Sequence, residues 1–280
     1  MSPSQKPAEI FVPEFDLRQT LESGQIFHAM PTGPGWQVLV DRTPLYVEQQ
    51  DRVLRVTAGH ESLAQNYLSL DHPLESIYAA FPSDPFSRAA LQSCRGLRIL
   101  RQPRWECLAT FITSPMKQVA HIRQISLHLR ERFGTPVESS LLHAYPTPEQ
   151  LAGATEQDLR NCGLGFRAKS LLATARTVAS QEVDLAALAQ WPTGKLRDRL
   201  CEFPGVGRKV ANCVLLFAYE RLDAVPVDVW IARILLAMRR RKSSHLELER
   251  YSNRRFGAYA GYVQQYLFHH ARMTKSLPAT

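Results

Sequence analysis

Residues 200–234, LCEFPGVGRKVANCVLLFAYERLDAVPVDVWIARI, constrain this chain more than any other stretch. They read as helix, tight glycine turn, helix, loop, helix. Pro204 ends the first helix, and Gly205 and Gly207 allow backbone conformations that other residues resist. Beyond the turn, Val210, Cys213, Val214 and Phe217 recur at i, i+3, i+4, i+7, the spacing of one buried helix face. That helix should begin at or near Lys209. Its first turn then offers free N–H groups and a positive dipole end, a natural seat for a phosphate. Downstream, Val225, Pro226 and Val227 lead to Asp228, which is placed to cap a further helix whose apolar face is Ile231, Ile234, Leu235 and Met238.

The chemistry suggested is a lysine and an aspartate at the ends of two helices beside a phosphate-binding turn. A neutral lysine amine attacks carbon electrophiles and forms Schiff bases. A nearby carboxylate can stabilise a developing cation at a sugar C1′ or carry protons. Alone, a lysine in a glycine turn is ordinarily just solvated, and an aspartate before a helix is ordinarily just its cap. Together and in this order they are far more specific.

The segment resembles the helix–hairpin–helix DNA glycosylases, and among them the 8-oxoguanine DNA glycosylases. The family's L-P-G-V-G-x-K-V-A-x-C is here F-P-G-V-G-R-K-V-A-N-C, from Phe203 to Cys213, and its V-P-V-D-V is unchanged from Val225 to Val229. The resemblance extends over about residues 15–273. It implies base flipping from duplex DNA containing 8-oxoguanine, attack by Lys209 at C1′ and stabilisation of the sugar cation by Asp228. Nicking of the strand by β-elimination (AP lyase activity) should follow. Hairpin amides around Gly205, Gly207 and Val210 would hold a phosphate of the damaged strand. Ser23, Gly24 and Gln25 match the family's S-G-Q, in which the glycine carbonyl accepts the N7–H that only the oxidised base carries. An acceptor left unpaired by guanine costs roughly 1–3 kcal/mol, so one carbonyl can discriminate.

Other roles follow from the same resemblance. Gln264 and Phe268, four apart on one helix face, match the residues that read and stack on the flipped base. By bare spacing they would be a surface glutamine and a core phenylalanine. Cys213 matches the cysteine on the opposite face of the base, although a buried cysteine is more commonly a small hydrophobe. Phe166 stands where the family has a tyrosine wedge, and Arg167 matches the arginine beside it. Met116 and His121 occupy the positions of the asparagine and arginine that face the opposite base, so a relaxed opposite-base preference is expected. Trp230 replaces a histidine two residues after the aspartate, and that histidine's phosphate contact is not carried over.

Composition agrees. Lys and Arg outnumber Asp and Glu by 34 to 26, a net charge of +8 with a pI near 9.4, as a polyanionic partner favours. Cys94, Cys107, Cys162, Cys201 and Cys213 are odd in number and widely spaced, which supports neither zinc nor an iron–sulfur cluster and suits a reducing compartment. The cytoplasm or nucleoid of a bacterium, or a eukaryotic nucleus, is expected. No apolar run approaches a membrane span, and the N-terminus does not read as a signal peptide. No cofactor is expected, and a monomer is. Whether the hairpin carbonyls also hold a monovalent ion is left open.

The fold class expected is α+β, mostly α: an N-terminal antiparallel sheet lobe followed by two helical lobes with a helix–hairpin–helix motif. Residues 1–10 read as a flexible polar lead. Residues 11–100 form the sheet lobe with flanking helices, because Trp36, Val38 and Val40 alternate with polar neighbours and the pattern continues through residues 45–47 and 53–56. Residues 101–280 form the helical region, with the helix–hairpin–helix at 194–219. Within it, Thr147 before Pro148 reads as a helix start, and Thr155 with Asp158 as a capping box. Residues 239–242, Arg-Arg-Arg-Lys, read as a solvated loop, and the last helix as about 256–272. Three alternatives remain. An alkyl-base glycosylase usually lacks the lysine. An adenine glycosylase usually carries four C-terminal cysteines. A non-catalytic helix–hairpin–helix module would merely grip phosphates.

Overall fold

Alternation along residues 30–56 builds an antiparallel sheet, and the strand at its far edge comes from the start of the chain. The computed structural model describes residues 6–115 and 117–277. Strands β1 (Ala8–Phe11), β2 (Met30–Thr32), β3 (Gly35–Val40), β4 (Thr43–Gln50) and β5 (Val53–Val56) form one sheet in the order β1-β5-β4-β3-β2. The expected lead over residues 1–10 is therefore shorter than the sequence suggested. Ala8, Glu9 and Ile10 pair with Val56, Arg55 and Leu54. A four-residue edge strand has too little periodicity of its own to be read without its partner. Cross-strand pairs Trp36–Val47 and Val38–Leu45 set the register. Val38, Leu45, Val47, Leu54 and Val56 are buried, together with Leu21 of helix α1 (Leu17–Glu22) and Tyr67 of α2 (Glu61–Tyr67). Each fully buried aliphatic side chain contributes about 1.5–3 kcal/mol.

The rest of the chain is helical: α3 (Leu74–Ala79), α4 (Pro85–Ser93), α5 (Arg104–Thr113), α6 (Val119–Phe133), α7 (Pro148–Ala152), α8 (Glu156–Leu159), α9 (Arg167–Ala179), α10 (Thr193–Cys201), α11 (Arg208–Ala218), α12 (Val229–Arg239), α13 (His245–Phe256) and α14 (Ala260–Thr274). Thr147 caps α7 and Thr155 caps α8, each in a reciprocal capping box. Helix α13 was not anticipated. It opens with a third capping box, Ser244 with Glu247, and its interruption at Gly257 moves the start of α14 to Ala260. One large apolar core gathers α5, α6, α9, α10 and α11, and a second gathers α12, α13, α14 and part of α4.

Helix α11 is more deeply set than its apolar stripe implies. Every residue from Val210 to Ala218 is buried. The one amide on it is satisfied twice: Arg197 Nε donates to Asn212 Oδ1 at 2.8 Å, and Asn212 Nδ2 donates to the Val225 carbonyl at 2.9 Å. The second bond ties α11 to the strand-like segment that delivers Asp228. Between the lobes, Glu106 of α5 is buried against Arg130 of α6 and 3.0 Å from His28 Nδ1. Burial alone would raise the Glu106 carboxyl, but the Arg130 and His28 partners hold it down to about 2. No helix among the described residues is long and apolar enough to cross a membrane.

Candidate active site

The hairpin between α10 and α11 is closed by the Val206 N–H, which donates to the Phe203 carbonyl at 3.0 Å. Gly205 sits at φ +79°, and a Cβ there would lie 2.9 Å from Ser170 on α9. A side chain is thus excluded both by backbone conformation and by the close approach of α9. Gly207 is the N-cap of α11 and has no side chain to offer its first turn. The leading N–H groups of that turn consequently lack an intrahelical partner and point outward with the positive end of the dipole.

Lys209 stands in this first turn, half-buried. Its Nζ lies 3.5 Å from Ser114 Oγ at the end of α5 and 5.5 Å from the centre of the Phe111 ring. Asp228 caps α12, as its position before that helix suggested, with Oδ1 accepting from the Ile231 N–H at 2.8 Å. Burial raises the Asp228 carboxyl above its ordinary value, and the Ile231 N–H and the Lys209 charge only partly oppose this. Cys213, one turn beyond Lys209, is buried. That burial pushes its thiol up against the pull of the Lys209 charge.

These residues share one cavity of about 660 Å³. Of the positions singled out in the sequence, Gly24, Gly205, Gly207, Lys209, Val210, Cys213, Asp228, Gln264 and Phe268 all line it. One wall is aromatic: Phe111 stacks on Phe217 at 5.5 Å and meets the edge of Phe27 at 5.7 Å. Such a wall suits a flat apolar face, and the polar groups on the other side are few. Gln264 is 4% exposed, and its Oε1 has no hydrogen-bond partner among the described residues. A buried amide oxygen without a partner is costly, and this one belongs to a residue that lines the cavity. Gly24 has φ +85°, and a Cβ there would come within 3.0 Å of an Arg272 guanidinium nitrogen and 3.3 Å of Val119 Cγ2.

Phe166, Arg167 and His121 stand outside this cavity. Phe166 precedes α9 and is 70% exposed, with the Arg167 guanidinium 4.3 Å from its ring centre. His121 is exposed on the first turn of α6. Lys117 joins the two sets. It lines the cavity, and its Nζ donates to the Gly163 carbonyl at 3.2 Å and lies 3.5 Å from His121 Nε2. Burial and the Arg167 charge lower its pKa. Met116 lies outside the described residues. Among the described residues no group of three or more His, Cys, Asp or Glu side chains is arranged to hold a metal.

Residues 111–256 match the family described as HhH-GPD superfamily base excision DNA repair protein, and residues 9–108 match the 8-oxoguanine DNA glycosylase N-terminal domain. The chain belongs to the 8-oxoguanine DNA glycosylase family. It is 30% identical to a probable N-glycosylase/DNA lyase of Methanothermobacter thermautotrophicus, over 93% of this chain and 95% of that protein. It is 32% identical to the N-glycosylase/DNA lyase of Saccharomyces cerevisiae, over 72% of this chain and 62% of the yeast protein. The solved structure of MBOgg1 in complex with a low-affinity DNA ligand superposes with a TM-score of 0.92 at 28% identity, covering 98% of both chains.

Several residues of this glycosylase site were not singled out in the sequence. Ser114 and Lys117 sit on the α5–α6 connection, where no periodicity distinguishes them. His245 also lines the cavity, on the helix whose S-x-x-E start was a readable signal. Gln265 and Arg272 hold the Gly24 turn from α14. Gln265 is next to Gln264 in sequence, yet only the folded chain brings it to Ser23.

Proposed function

We propose that this chain is a bifunctional base-excision enzyme that removes 8-oxoguanine from double-stranded DNA and then nicks the strand, working as a monomer without a metal or cofactor. The observation that carries this reading is the pairing of Lys209 and Asp228 on one aromatic-walled cavity at the mouth of an N–H-rich hairpin. Phe166, exposed at the start of α9, fills the gap as the damaged nucleotide leaves the stack. The hairpin amides around Gly205, Gly207 and Val210 take a phosphate of the damaged strand.

The extruded base lies between the aromatic wall, Cys213 and Phe268. Gln264 meets its Watson–Crick edge, and the Gly24 carbonyl accepts the N7–H. Lys209 attacks C1′ as the neutral amine. The C1′–N9 bond breaks with its electron pair going to the base, which takes up a proton. Asp228, ionised, stabilises the positive charge on the sugar during this step. The amine and the opened sugar then form a Schiff base. Loss of a C2′ proton expels the 3′ phosphate, which cuts the strand. The unpartnered Gln264 Oε1 supports the base-reading part of this sequence.

Lys209→Gln tests it. The variant should still bind 8-oxoguanine duplex but neither release the base nor form a covalent adduct on borohydride treatment. Excision by the variant at a comparable rate would overturn the lysine mechanism and leave water activated by Asp228 as the nucleophile. That outcome would also move the chain towards the alkyl-base enzymes.

A further inference from the structure

We propose that Gln265 and Arg272 of α14 form a clamp that sets the position of the Gly24 carbonyl, and through it the preference for the oxidised base. This rests on the role given to Gly24 above. The base-reading groups come from two ends of the chain: Gly24 follows α1 in the sheet lobe, whereas Gln264 and Phe268 lie on the last helix. Something must hold these two pieces in register, because a hydrogen bond weakens steeply with misalignment.

Two contacts of α14 with the turn do so. Gln265 Nε2 donates to the Ser23 carbonyl at 3.1 Å, and both residues are buried. The Arg272 guanidinium donates to the Glu22 carbonyl. The same guanidinium lies 3.2 Å from His269 Nδ1 and 5.7 Å from the centre of the Phe268 ring. The two peptides immediately before Gly24 are thus bound to α14, and one of the binding groups also packs on the stacking residue.

The other anchor of the turn has a different function. Gln25 Nε2 donates to the Thr20 carbonyl, Ser23 Oγ and the Arg98 carbonyl, and its Oε1 accepts from the Leu100 N–H. Those bonds fix the shape of the turn within its own lobe. Tyr262 and Tyr266 of α14 bond the neighbouring segment at Ile99 and Leu97, whereas Gln265 and Arg272 bond the turn itself. Neighbouring residues on a helix point about 100° apart; Gln264 and Gln265 both reach the cavity, and Gln265 alone of the two bonds the turn. Both are positioning residues and touch none of the reacting atoms.

The experiment measures binding of two duplexes, one with 8-oxoguanine and one with its 7-deaza analogue, which lacks the N7–H donor. A 2′-fluoro group on each target sugar slows base loss during the measurement. The intact protein should bind the first about tenfold more tightly, the worth of one ordinary hydrogen bond. In Gln265→Met and Arg272→Met the ratio should fall to about twofold or less. Arg272→Lys, which keeps a cationic donor, should retain most of the ratio. Cleavage of a pre-formed abasic site needs no base in the pocket and should stay within about twofold of the parent in all three.

A parent ratio near one would overturn the reading of Gly24 itself. A parent ratio of about tenfold that survives in both methionine variants would overturn the clamp alone. So would equal weakening on both duplexes together with loss of abasic-site cleavage, since the contacts would then serve only the fold.

Discussion

Alanine at Gly207 and alanine at Gly205 should separate the two duties of the hairpin. Gly205 has φ +79°, and a Cβ would stand 2.9 Å from both Cβ and Oγ of Ser170. A left-handed alanine costs about 1–2 kcal/mol, and forcing α9 aside adds about 1–3 kcal/mol. Gly205→Ala should therefore lose about 2–5 kcal/mol of stability, which for a chain of this size lowers Tm by roughly 3–9 °C. At Gly207 the backbone is ordinary, with φ −91°, and an added Cβ meets nothing within 4 Å. A small N-cap loss and a small gain from a stiffer unfolded chain nearly cancel there, so Tm should move by less than about 2 °C. If the first turn of α11 takes a phosphate as proposed, the methyl group stands in its approach. Losing one charge-assisted bond to that phosphate costs about 1.5–3 kcal/mol, or roughly 10- to 150-fold in Kd. Thermal unfolding and fluorescence anisotropy on a non-cleavable duplex, at one fixed salt concentration, measure the two effects. Binding by Gly207→Ala within about twofold of the parent, with an unchanged Tm, would refute the phosphate seat at this position.

Three further outcomes are expected. Single-turnover excision should be measurable with 8-oxoguanine opposite thymine, guanine and adenine as well as cytosine, because His121 is a short side chain where strict family members use a larger donor; a cytosine preference over adenine of about a hundredfold or more would refute this. Asp228 has its pKa raised by burial, so the folded state holds its proton to higher pH than the unfolded chain does, and stability falls as pH rises through that window. Asp228→Asn, which can still cap α12, should thus raise Tm at neutral pH, lose that advantage as pH falls through the raised pKa, and abolish the acid limb of the excision profile; a Tm difference independent of pH would refute the assignment. Arg130→Met leaves Glu106 buried without its cation and should cost about 3–5 kcal/mol, much of it regained in Arg130→Met with Glu106→Gln. Because the Glu106 pKa is lowered to about 2, the stabilisation by this pair is complete above the ordinary carboxylate range and fades as pH falls towards that value. Equal denaturant midpoints for the parent and Arg130→Met would refute it.

Much of the site was legible because its chemistry is carried by local signals. The hairpin glycines, the stripe of α11 and the Asp228 cap all depend on residues a few positions apart, whereas Gln264 and Phe268 were singled out by the family resemblance and not by their spacing. Helix α13 carries a local start signal as well, Ser244 with Glu247, although the sequence reading placed no helix there. The first strand was not legible, since Ala8, Glu9 and Ile10 become a strand only by pairing with residues 54–56.

What the sequence determined by itself was therefore the hairpin, the helices on either side of it, several caps and the placing of Lys209 and Asp228 at two helix ends, all consequences of backbone geometry that repeats within one or two turns. The tertiary structure decided what surrounds them. It buried α11 on every side, so that Asn212 became a bonded tie rather than a surface amide. It also carried Gln265 to Ser23 across 242 residues and Arg272 to Glu22 across 250. No helical or strand period extends over such distances. Contacts of that kind exist only once distant parts of the chain have packed against each other, and the cavity lined by both Gly24 and Gln264 depends on them.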